Sequence, residues 1–510
     1  MGLTQSILRG KHVYPDTLAM SFASRETTYG QLHDKVALCA GAFAELDPEV
    51  KGTVGILSMN SDYAIVSFYG ACWAGKVPNY LNIRWSAHEL HASIDDFAPS
   101  ILTVDDAFLE MGLSLLQLCD SIEHLVYLGD SVDLPEGVLS LSDLMANVVP
   151  IENRCGSGDD MAFLNYTGGT TGKGKGVIHT HASHMAGMNM TIAEGLFPFG
   201  KSLVAMPFFH IGGLGLSNAC LMSGSTMYIL EAFDPLSVLR TVQDNKIENV
   251  LLVPTMMQMV LRHPAFAEYN WSSVKNMRYG ASPIDESLLM ELKEAFPAAN
   301  FMQVYGQTEG VPATILHNND HNQAAVDSGR IRSAGRAALG CDIEIRDAEG
   351  NSLPVGEIGE VALRGPHIMK GYLNMPEQTA KALQGGWLIT GDAGYLSSEG
   401  YLHVVDRIKD MIITGGENVY SAEVEATMCL HSAVEQCAVV GLPDEKWGER
   451  VHADVILKPG MSATAEELTA HCRESLAGFK LPRSVTLVDE IPLTAVNKVD
   501  KVAIRARYTG

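Results

Sequence analysis

Short β-rich runs alternate with helical stretches through the first three hundred residues, and this alternation constrains the fold more than any other feature. Runs such as TVGILS (53–58), SILTV (100–104), NVLLV (249–253) and NFMQVYG (300–306) recur at intervals, and most are followed by a segment with helical spacing of apolar residues. Such alternation is typical of a parallel-rich sheet with helices on its faces, and continuously apolar strands are typical of buried parallel ones. We therefore predict an α/β fold.

The pattern of predicted strands and helices changes twice further along the chain. Between about 340 and 405, β-rich runs are separated by turns rich in Gly and Pro, which predicts a β meander. After 410, about a hundred residues return to a mixed β and α rhythm, enough for a small separate domain. We predict a large N-terminal domain over 1–405, a hinge at 406–410 and a small α+β C-terminal domain over 411–510.

Composition narrows the class of partner and the cellular location. Lys and Arg number 36 against 60 Asp and Glu, and the net charge of −24 disfavours nucleic acid and anionic membranes as partners. The nine cysteines form no C-x-x-C pair, and no run approaches the roughly 18 apolar residues of a membrane span. We expect a cytoplasmic protein without an integral membrane segment, in which a local cluster must hold any polyanionic ligand.

One glycine-rich segment, 167–176, follows a predicted strand and precedes a helical pattern. Its backbone N–H groups, threonine hydroxyls and lysines suit a phosphate, although an ordinary surface loop has a similar composition. The segment fits most of the Walker A pattern, but Gly176 stands where a hydroxyl should bind Mg²⁺, which disfavours a P-loop enzyme. The predicted phosphate contacts are Thr167, Gly168, Gly169, Thr170, Thr171, Gly172 and Lys175.

The same segment resembles the phosphate loop of the adenylate-forming superfamily, [YF]-T-S-G-T-T-G-x-P-K-G, with Gly168 for Ser and Gly174 for Pro. Four further segments resemble motifs of that superfamily, in its order: YGQTE (305–309), GWLITGD (386–392), DRIKD with a following GGE (406–417), and PLTAVNK (492–498). The chain is thereby identified as a member of the superfamily, of the acyl-CoA synthetase type that activates fatty or aryl acids. The replacement of Pro by Gly174 predicts a looser end to the loop.

The resemblance implies a site for ATP and Mg²⁺. Tyr305 would face adenine, Asp392 would accept hydrogen bonds from the ribose hydroxyls, Arg407 would add a second anchor, and Glu309 with Thr167 would hold Mg²⁺. The other implied nucleotide contacts, beyond the phosphate loop, are Gly280, Ala281, Ser282, Gln303, Gly306, Gln307, Thr308 and Lys498.

The resemblance also implies a reaction in two steps. A carboxylic acid and ATP give acyl-AMP and pyrophosphate, and coenzyme A then gives acyl-CoA and AMP. Lys498 would neutralise the charge that develops in the first step, with Glu309, His210 and Thr167 completing the implied catalytic set. The small domain, mobile in this superfamily, would then rotate about Lys409 and replace Lys498 by Gly415 and Gly416, which line the channel for coenzyme A.

On the acyl side, an aromatic pair and His210 stand where adenylating enzymes for amino acids carry an aspartate, so we predict a hydrophobic acid without an amine. The implied pocket consists of His210, Gly213, Val253, Pro254, Gly280, Gly306, Val311 and Pro312. Fatty, aryl and hydroxycinnamic acids all fit this pattern. Transfer to a carrier protein, luciferase-like oxygenation and a non-catalytic nucleotide-binding role stay open, as does the oligomeric state, a homodimer included.

A histidine cluster directly after the glycine-rich segment raises the possibility of a zinc site. His179, His181 and His184 have a spacing that suggests zinc, but no Cys or acidic partner stands nearby in the sequence, which favours packing. His210 has an alternative as well, because a histidine in an apolar segment is often a core residue with satisfied hydrogen bonds.

Overall fold

The computed structural model describes residues 2–131, 133–167, 174–282, 284–494 and 499–509. Six of the predicted site residues lie outside the described residues: Gly168, Gly169, Thr170, Thr171, Gly172 and Lys498.

The helices and strands up to residue 147 are α1 (Gln5–Val13), β1 (Leu18–Phe22), β2 (Arg25–Thr28), α2 (Tyr29–Leu46), β3 (Thr53–Leu57), α3 (Asp62–Trp73), β4 (Val77–Tyr80), α4 (Ala87–Phe97), β5 (Ile101–Val104), α5 (Leu109–Leu118), β6 (His124–Tyr127), β7 (Val138–Ser140) and α6 (Leu141–Asn147). From there to residue 337 they are β8 (Met161–Thr167), β9 (Lys175–Thr180), α7 (His181–Ala193), β10 (Lys201–Val204), α8 (Ile211–Ser223), β11 (Thr226–Ile229), α9 (Pro235–Asn245), β12 (Asn249–Leu252), α10 (Pro254–Leu261), β13 (Asn276–Gly280), α11 (Glu286–Ala295), β14 (Asn300–Gln307), β15 (Gly310–Leu316), α12 (Gln323–Asp327) and β16 (Arg336–Ala337).

The remaining elements begin with β17 (Asp342–Arg346), β18 (Gly359–Arg364), β19 (Gly371–Tyr372), α13 (Pro376–Ala382), β20 (Leu383–Gln384), β21 (Trp387–Leu396) and β22 (Leu402–Arg407). The last elements are β23 (Ile412–Thr414), β24 (Glu417–Val419), α14 (Ser421–Cys429), β25 (Val434–Asp444), β26 (Gly448–Leu457), α15 (Ala465–Arg473), β27 (Ser484–Leu487) and α16 (Lys501–Thr509).

These strands form four sheets. The first sheet has the order β16-β15-β14-β13-β12-β10-β11-β1-β2, and the second has the order β19-β9-β8-β4-β3-β5-β6-β7. In both, the central strands are parallel neighbours, as predicted from their apolar character. The third sheet, β17-β18-β21-β20 with β22 beside β21, is antiparallel and is the predicted meander. The fourth, β24-β23-β26-β25 with β27 beside β26, belongs to the C-terminal part. The predicted α/β class is confirmed.

The first two sheets share one apolar core with the helices between them. Side chains of α2, α3, α7 and α8 join those of strands from both sheets in a single cluster, whereas a separate cluster lies within the C-terminal part. Local chemistry sets the helix ends: Thr28 and Gln31, for example, form a capping box at the start of α2. The domain boundaries at 405 and 410 stay a prediction.

Among the described residues, none of the helices is both long and apolar enough to cross a membrane.

Two histidines of the predicted cluster are buried in the shared core. The ring of His179 stacks on that of Phe163 with centroids 4.5 Å apart, and His184 meets the same ring edge-on at 4.9 Å. The side chain of Asn218 donates a hydrogen bond to Nε2 of His184 at 2.9 Å. Burial lowers the pKa of each histidine to about 3, so both are neutral at pH 7. This arrangement gives both rings a role in packing.

We predict that His179→Phe weakens the loss of stability at acidic pH. Below the ordinary histidine pKa of about 6.5, the unfolded chain takes up a proton that folded His179 refuses, so the free energy of unfolding falls as the pH drops. Each such histidine lowers the free energy of unfolding by about 2 kcal/mol between pH 7 and pH 5. Urea unfolding at both pH values should show a loss smaller by about this amount in the variant; an identical loss would contradict the assignment.

Candidate active site

The predicted acyl-pocket residues follow the ends of four neighbouring strands. β14, β13, β12 and β10 are adjacent and parallel, so their carboxyl ends lie at one edge of the first sheet. His210 and Gly213 come after β10, Val253 and Pro254 after β12, Gly280 ends β13, and Gly306 lies near the end of β14. Val311 and Pro312 continue on β15, which pairs with β14. The fold thus brings the predicted set to one edge.

The glycines of this set are required by backbone packing. A Cβ atom at Gly280 would lie 2.2 Å from the carbonyl oxygen of Val304, and one at Gly213 would lie 2.2 Å from that of Pro207. A Cβ at Gly306 would lie 2.9 Å from the carbonyl oxygen of Gly310. Close contact between neighbouring backbone segments is therefore a physical reason for glycine at all three positions.

His210 caps the helix that it precedes. Its Nδ1 accepts a hydrogen bond from the backbone N–H of Gly212 at 3.1 Å, at the start of α8, and its ring is half-buried. The side chain of Asn165, in β8, donates to the carbonyl oxygen of Phe209 at 2.8 Å. This bond holds the segment that contains His210 beside β8, the strand that ends at Thr167. The sequence did not indicate this contact.

Tyr305 and Gln307 connect β14 to the third sheet. The Tyr305 hydroxyl donates to Oδ2 of Asp392 at 2.6 Å, and Nε2 of Gln307 donates to the carbonyl oxygen of Thr390 at 3.4 Å. Burial, reinforced by the charge of Asp392, raises the pKa of Tyr305 well above its ordinary value, which keeps its hydroxyl a donor.

Asp392, the predicted ribose acceptor, is buried and held from two sides. Nε of Arg407 lies 2.7 Å from its Oδ1, and the two residues are opposite each other in the register of β21 and β22. With Tyr305 at the other oxygen, the carboxylate has a fixed orientation. The three predicted nucleotide residues therefore form one cluster, in which a bound ribose would share or replace these hydrogen bonds.

Glu309 connects the same turn to the second sheet. Its Oε1 accepts a hydrogen bond from the Tyr372 hydroxyl at 2.8 Å, and its carbonyl oxygen accepts one from the backbone N–H of Met369 at 2.8 Å. Tyr372 lies in β19, beside β9, and Nζ of Lys175 lies 4.9 Å from the centroid of its ring. Lys175 is opposite Thr167 in the register of β8 and β9. Glu309 and Lys175, one predicted metal residue and one predicted phosphate residue, thus both contact Tyr372.

The chemistry of these groups fits a hard divalent cation. Glu309 is 8% exposed, and among its two carboxylate oxygens only Oε1 accepts a hydrogen bond from the residues the structure describes. Mg²⁺ is usually bound by one or two carboxylates together with phosphate oxygens and water. Glu309, together with the hydroxyl of Thr167 that the resemblance implies, would hold the ion, and the ion would offset the charge of the phosphates.

The other predicted nucleotide residues follow β13 or lie in β14 and its turn. Ala281 is exposed with a positive φ of 67°, directly after β13, and Ser282 is half-buried beside it. Gln303 is opposite Tyr279 in the register of β14 and β13. Thr308 is buried next to Glu309.

Arg84 and Trp85 connect the phosphate-loop region to the C-terminal part. Nη1 of Arg84 donates to the carbonyl oxygen of Thr494 at 3.3 Å. The Trp85 ring packs on Gly174, where an added Cβ would lie 2.7 Å from the ring. Gly174 thus leaves room for the indole, an explanation for the missing Pro that the sequence did not suggest. Thr494, which Arg84 contacts, stands four positions before Lys498 in the sequence.

The predicted hinge and channel residues are exposed. Lys409 lies in the turn Ile408–Asp410, and Gly415 and Gly416 form the tip of the hairpin between β23 and β24, with φ of 62° and 87°. Positive φ explains glycine at both tip positions.

Sequence reasoning missed Tyr372, Arg84 and Asn165. Tyr372 follows a glycine in a two-residue strand, and Arg84 lies in a turn, so neither has a periodic neighbourhood that marks it. The one available signal was charge: Arg84 is a cation near a helix start in an acidic chain.

Comparison with known proteins gives the same family over most of the chain. The model of the AMP-binding enzyme family matches residues 9–373, and that of the AMP-binding enzyme C-terminal domain matches residues 423–498. The medium/long-chain fatty acid–CoA ligase FadD8 of Mycobacterium tuberculosis is 35% identical over 501 residues, covering 94% of this chain and 86% of its own. A feruloyl-CoA synthase of Amycolatopsis is 33% identical over 509 residues, 99% of each chain. The solved structure of the amide bond synthetase McbA of Marinactinospora thermotolerans has a TM-score of 0.89 at 30% identity, covering 100% of this chain and 99% of that one.

Proposed function

Because the chain is an acid–thiol ligase that belongs to the AMP-binding enzyme family, we propose that it joins a hydrophobic carboxylic acid without an amine to coenzyme A. The acid attacks the α-phosphate of ATP to give acyl-AMP and pyrophosphate, and the thiol of coenzyme A then displaces AMP. The observation that carries this proposal is the cluster of Tyr305, Glu309, Asp392 and Arg407, in which groups suited to adenine, ribose and a cation adjoin one turn.

The contacts of Thr494 support a role for Lys498 in the first step. Arg84 donates to the carbonyl oxygen of Thr494, and Trp85 packs on Gly174, so the described end of the PLTAVNK segment adjoins the described end of the phosphate loop. Leu493 pairs with Val499 across the intervening residues. We propose that Lys498, which directly precedes Val499 in the sequence, offsets the charge that develops on the α-phosphate.

A second conformation would serve the second step. Asp406 accepts hydrogen bonds from the backbone N–H and the hydroxyl of Ser421, each at 2.5 Å, whereas Asp410 pairs with Arg505 at 2.9 Å. Rotation at Lys409 would break the first contact and keep the second within the moving part. The exposed tip at Gly415 and Gly416 would then be free to reach the site and pass the pantetheine arm.

The acid is assigned by class. The segment around His210 lacks a carboxylate that could pair with an α-ammonium group, and relatives act on fatty and hydroxycinnamic acids by their names. We therefore propose a medium- or long-chain fatty acid, or an aryl or hydroxycinnamic acid. A carrier protein in place of coenzyme A and a non-catalytic nucleotide-binding role are the alternatives. The proposal includes Mg²⁺ and a cytoplasmic location, where free cysteines such as the nine here stay reduced.

The test is exchange of labelled pyrophosphate into ATP across a panel of fatty, aryl, hydroxycinnamic and amino acids, each followed by detection of thioester after addition of coenzyme A. We expect exchange with one hydrophobic class and none with amino acids. Exchange without any thioester would favour the carrier-protein alternative. The absence of exchange with every acid would leave only the non-catalytic alternative.

We predict that Lys498→Ala separates the two steps. The variant should lose pyrophosphate exchange by orders of magnitude, because removal of one well-placed electrostatic group costs roughly 10²–10³ in rate. Thioester formation from a supplied acyl adenylate and coenzyme A should stay near the wild-type rate, because this lysine acts only in the first step. An equal loss in both assays would disprove the two-conformation scheme.

We predict that Arg84→Ala slows adenylate formation less than Lys498→Ala does. Like that variant, it should leave thioester formation from a supplied adenylate near the wild-type rate. Loss of one hydrogen bond of about 0.5–1.5 kcal/mol should slow pyrophosphate exchange roughly 2- to 12-fold. Arg450→Ala is the matched control, since Arg450 also donates to a carbonyl oxygen, that of Pro443, at 3.3 Å. If both variants slow exchange alike, the contact with Thr494 has no special role.

A further inference from the structure

We propose that Tyr372 is a positioning residue for the metal-binding carboxylate: its hydroxyl fixes Glu309 so that one carboxylate oxygen faces the divalent cation that accompanies ATP. The inference deepens the proposed function and rests on it. Neither the sequence motifs nor the comparisons assign a role to Tyr372.

The contact is direct and sheltered from water. The Tyr372 hydroxyl donates to Oε1 of Glu309 at 2.8 Å, and the two residues are 9% and 8% exposed. A phenol is a donor at neutral pH, and a hydrogen bond to an ionised carboxylate is among the stronger kinds. Because this bond occupies Oε1, the carboxylate presents Oε2 for a further ligand.

The rest of Tyr372 is fixed as well. Its backbone pairs with that of Val177 in the register of β19 and β9, and its N–H donates to Oγ1 of Thr379 at 2.9 Å. Three residues earlier, the N–H of Met369 donates to the carbonyl oxygen of Glu309. The segment 369–372 therefore holds both the backbone and the side chain of Glu309, so the hydroxyl acts from a rigid support.

The ring also separates two opposite charges. Nζ of Lys175 lies over the ring face, 4.9 Å from its centroid, while Glu309 lies at the hydroxyl end. Within the described ranges, Lys175 has no salt bridge to a carboxylate. An ion pair between Lys175 and Glu309 would neutralise the groups that the phosphates and the cation need. Tyr372 holds each charge without pairing it to the other.

The physical consequence concerns metal affinity. Mg²⁺ demands near-octahedral geometry, and a carboxylate that can rotate must lose that freedom when it binds the ion. Partners that orient a metal ligand typically change metal affinity by about 10- to 100-fold when they are removed. We therefore expect Tyr372→Phe, which keeps the ring and removes the hydroxyl, to bind the cation more weakly by a factor in this range.

The experiment measures Mn²⁺ binding by electron paramagnetic resonance, with the full-length protein and a non-hydrolysable ATP analogue. Tyr401→Phe is the matched control, because the Tyr401 hydroxyl also donates to a carboxylate, that of Asp320, at 2.8 Å. We expect Tyr372→Phe to weaken Mn²⁺ binding roughly 10- to 100-fold, and Tyr401→Phe to leave it unchanged. The Mg²⁺ concentration that half-saturates pyrophosphate exchange should rise in parallel, whereas thioester formation from a supplied adenylate should not change.

A thermal unfolding curve and a double-variant cycle distinguish a positioning role of the Tyr372 hydroxyl from a purely structural one. If Tyr372→Phe lowers the melting temperature and weakens Mn²⁺ binding no more than Tyr401→Phe, the hydroxyl is structural and the proposal fails. In a Glu309→Gln background, Tyr372→Phe should cause little further loss, because Tyr372 acts through Glu309; a full additional loss would overturn the proposal. Mn²⁺ binding requires no turnover, so a selective loss of binding supports this inference even if no acid in the panel is activated.

Discussion

The turn that carries Tyr305, Gln307 and Glu309 makes hydrogen bonds to two other sheets, and the geometry of the site depends on it. Tyr305 and Gln307 bond to β21 of the third sheet, whereas Glu309 bonds to Tyr372 in the second. The turn itself belongs to the first sheet through β14 and β15. Three sheets, whose strands are interleaved along the chain, are thereby linked to one another by side-chain hydrogen bonds at this turn. A nucleotide bound here would contact all three.

Charge is the second constraint on this site. A chain with a net charge of −24 repels a triphosphate at long range, so binding requires cations and N–H donors at short range. The structure places Lys175 and Arg407 beside Tyr372 and Asp392, the partners of this turn, and the carboxylates of Glu309 and Asp392 are bonded in fixed orientations. Tyr372 between Lys175 and Glu309 shows how one aromatic side chain keeps both charges available.

Much of the fold was predictable because many of its strands are long enough to be visible in the sequence as apolar, β-rich runs. The run NFMQVYG at 300–306 is β14 at Asn300–Gln307, and the run NVLLV at 249–253 is β12 at Asn249–Leu252. The resemblance to adenylate-forming enzymes is confirmed by the family models. In contrast, β1 pairs with β11, two hundred residues later, and β19 has only two residues, so no local pattern marks either. Tyr372 was missed for that reason. The reason for glycine at position 174 is also non-local, because the ring that packs on this glycine belongs to Trp85, far away in the sequence.

The origin of the oxygen atoms in AMP tests the central claim most directly. With a hydrophobic acid labelled by ¹⁸O in both carboxylate oxygens, attack on the α-phosphate transfers one labelled oxygen to the phosphorus when the thiol displaces AMP. Mass spectrometry of the products should find one ¹⁸O atom in AMP and none in pyrophosphate. Label in inorganic phosphate or pyrophosphate, or thioester formed together with unlabelled AMP, would contradict an acyl-adenylate route.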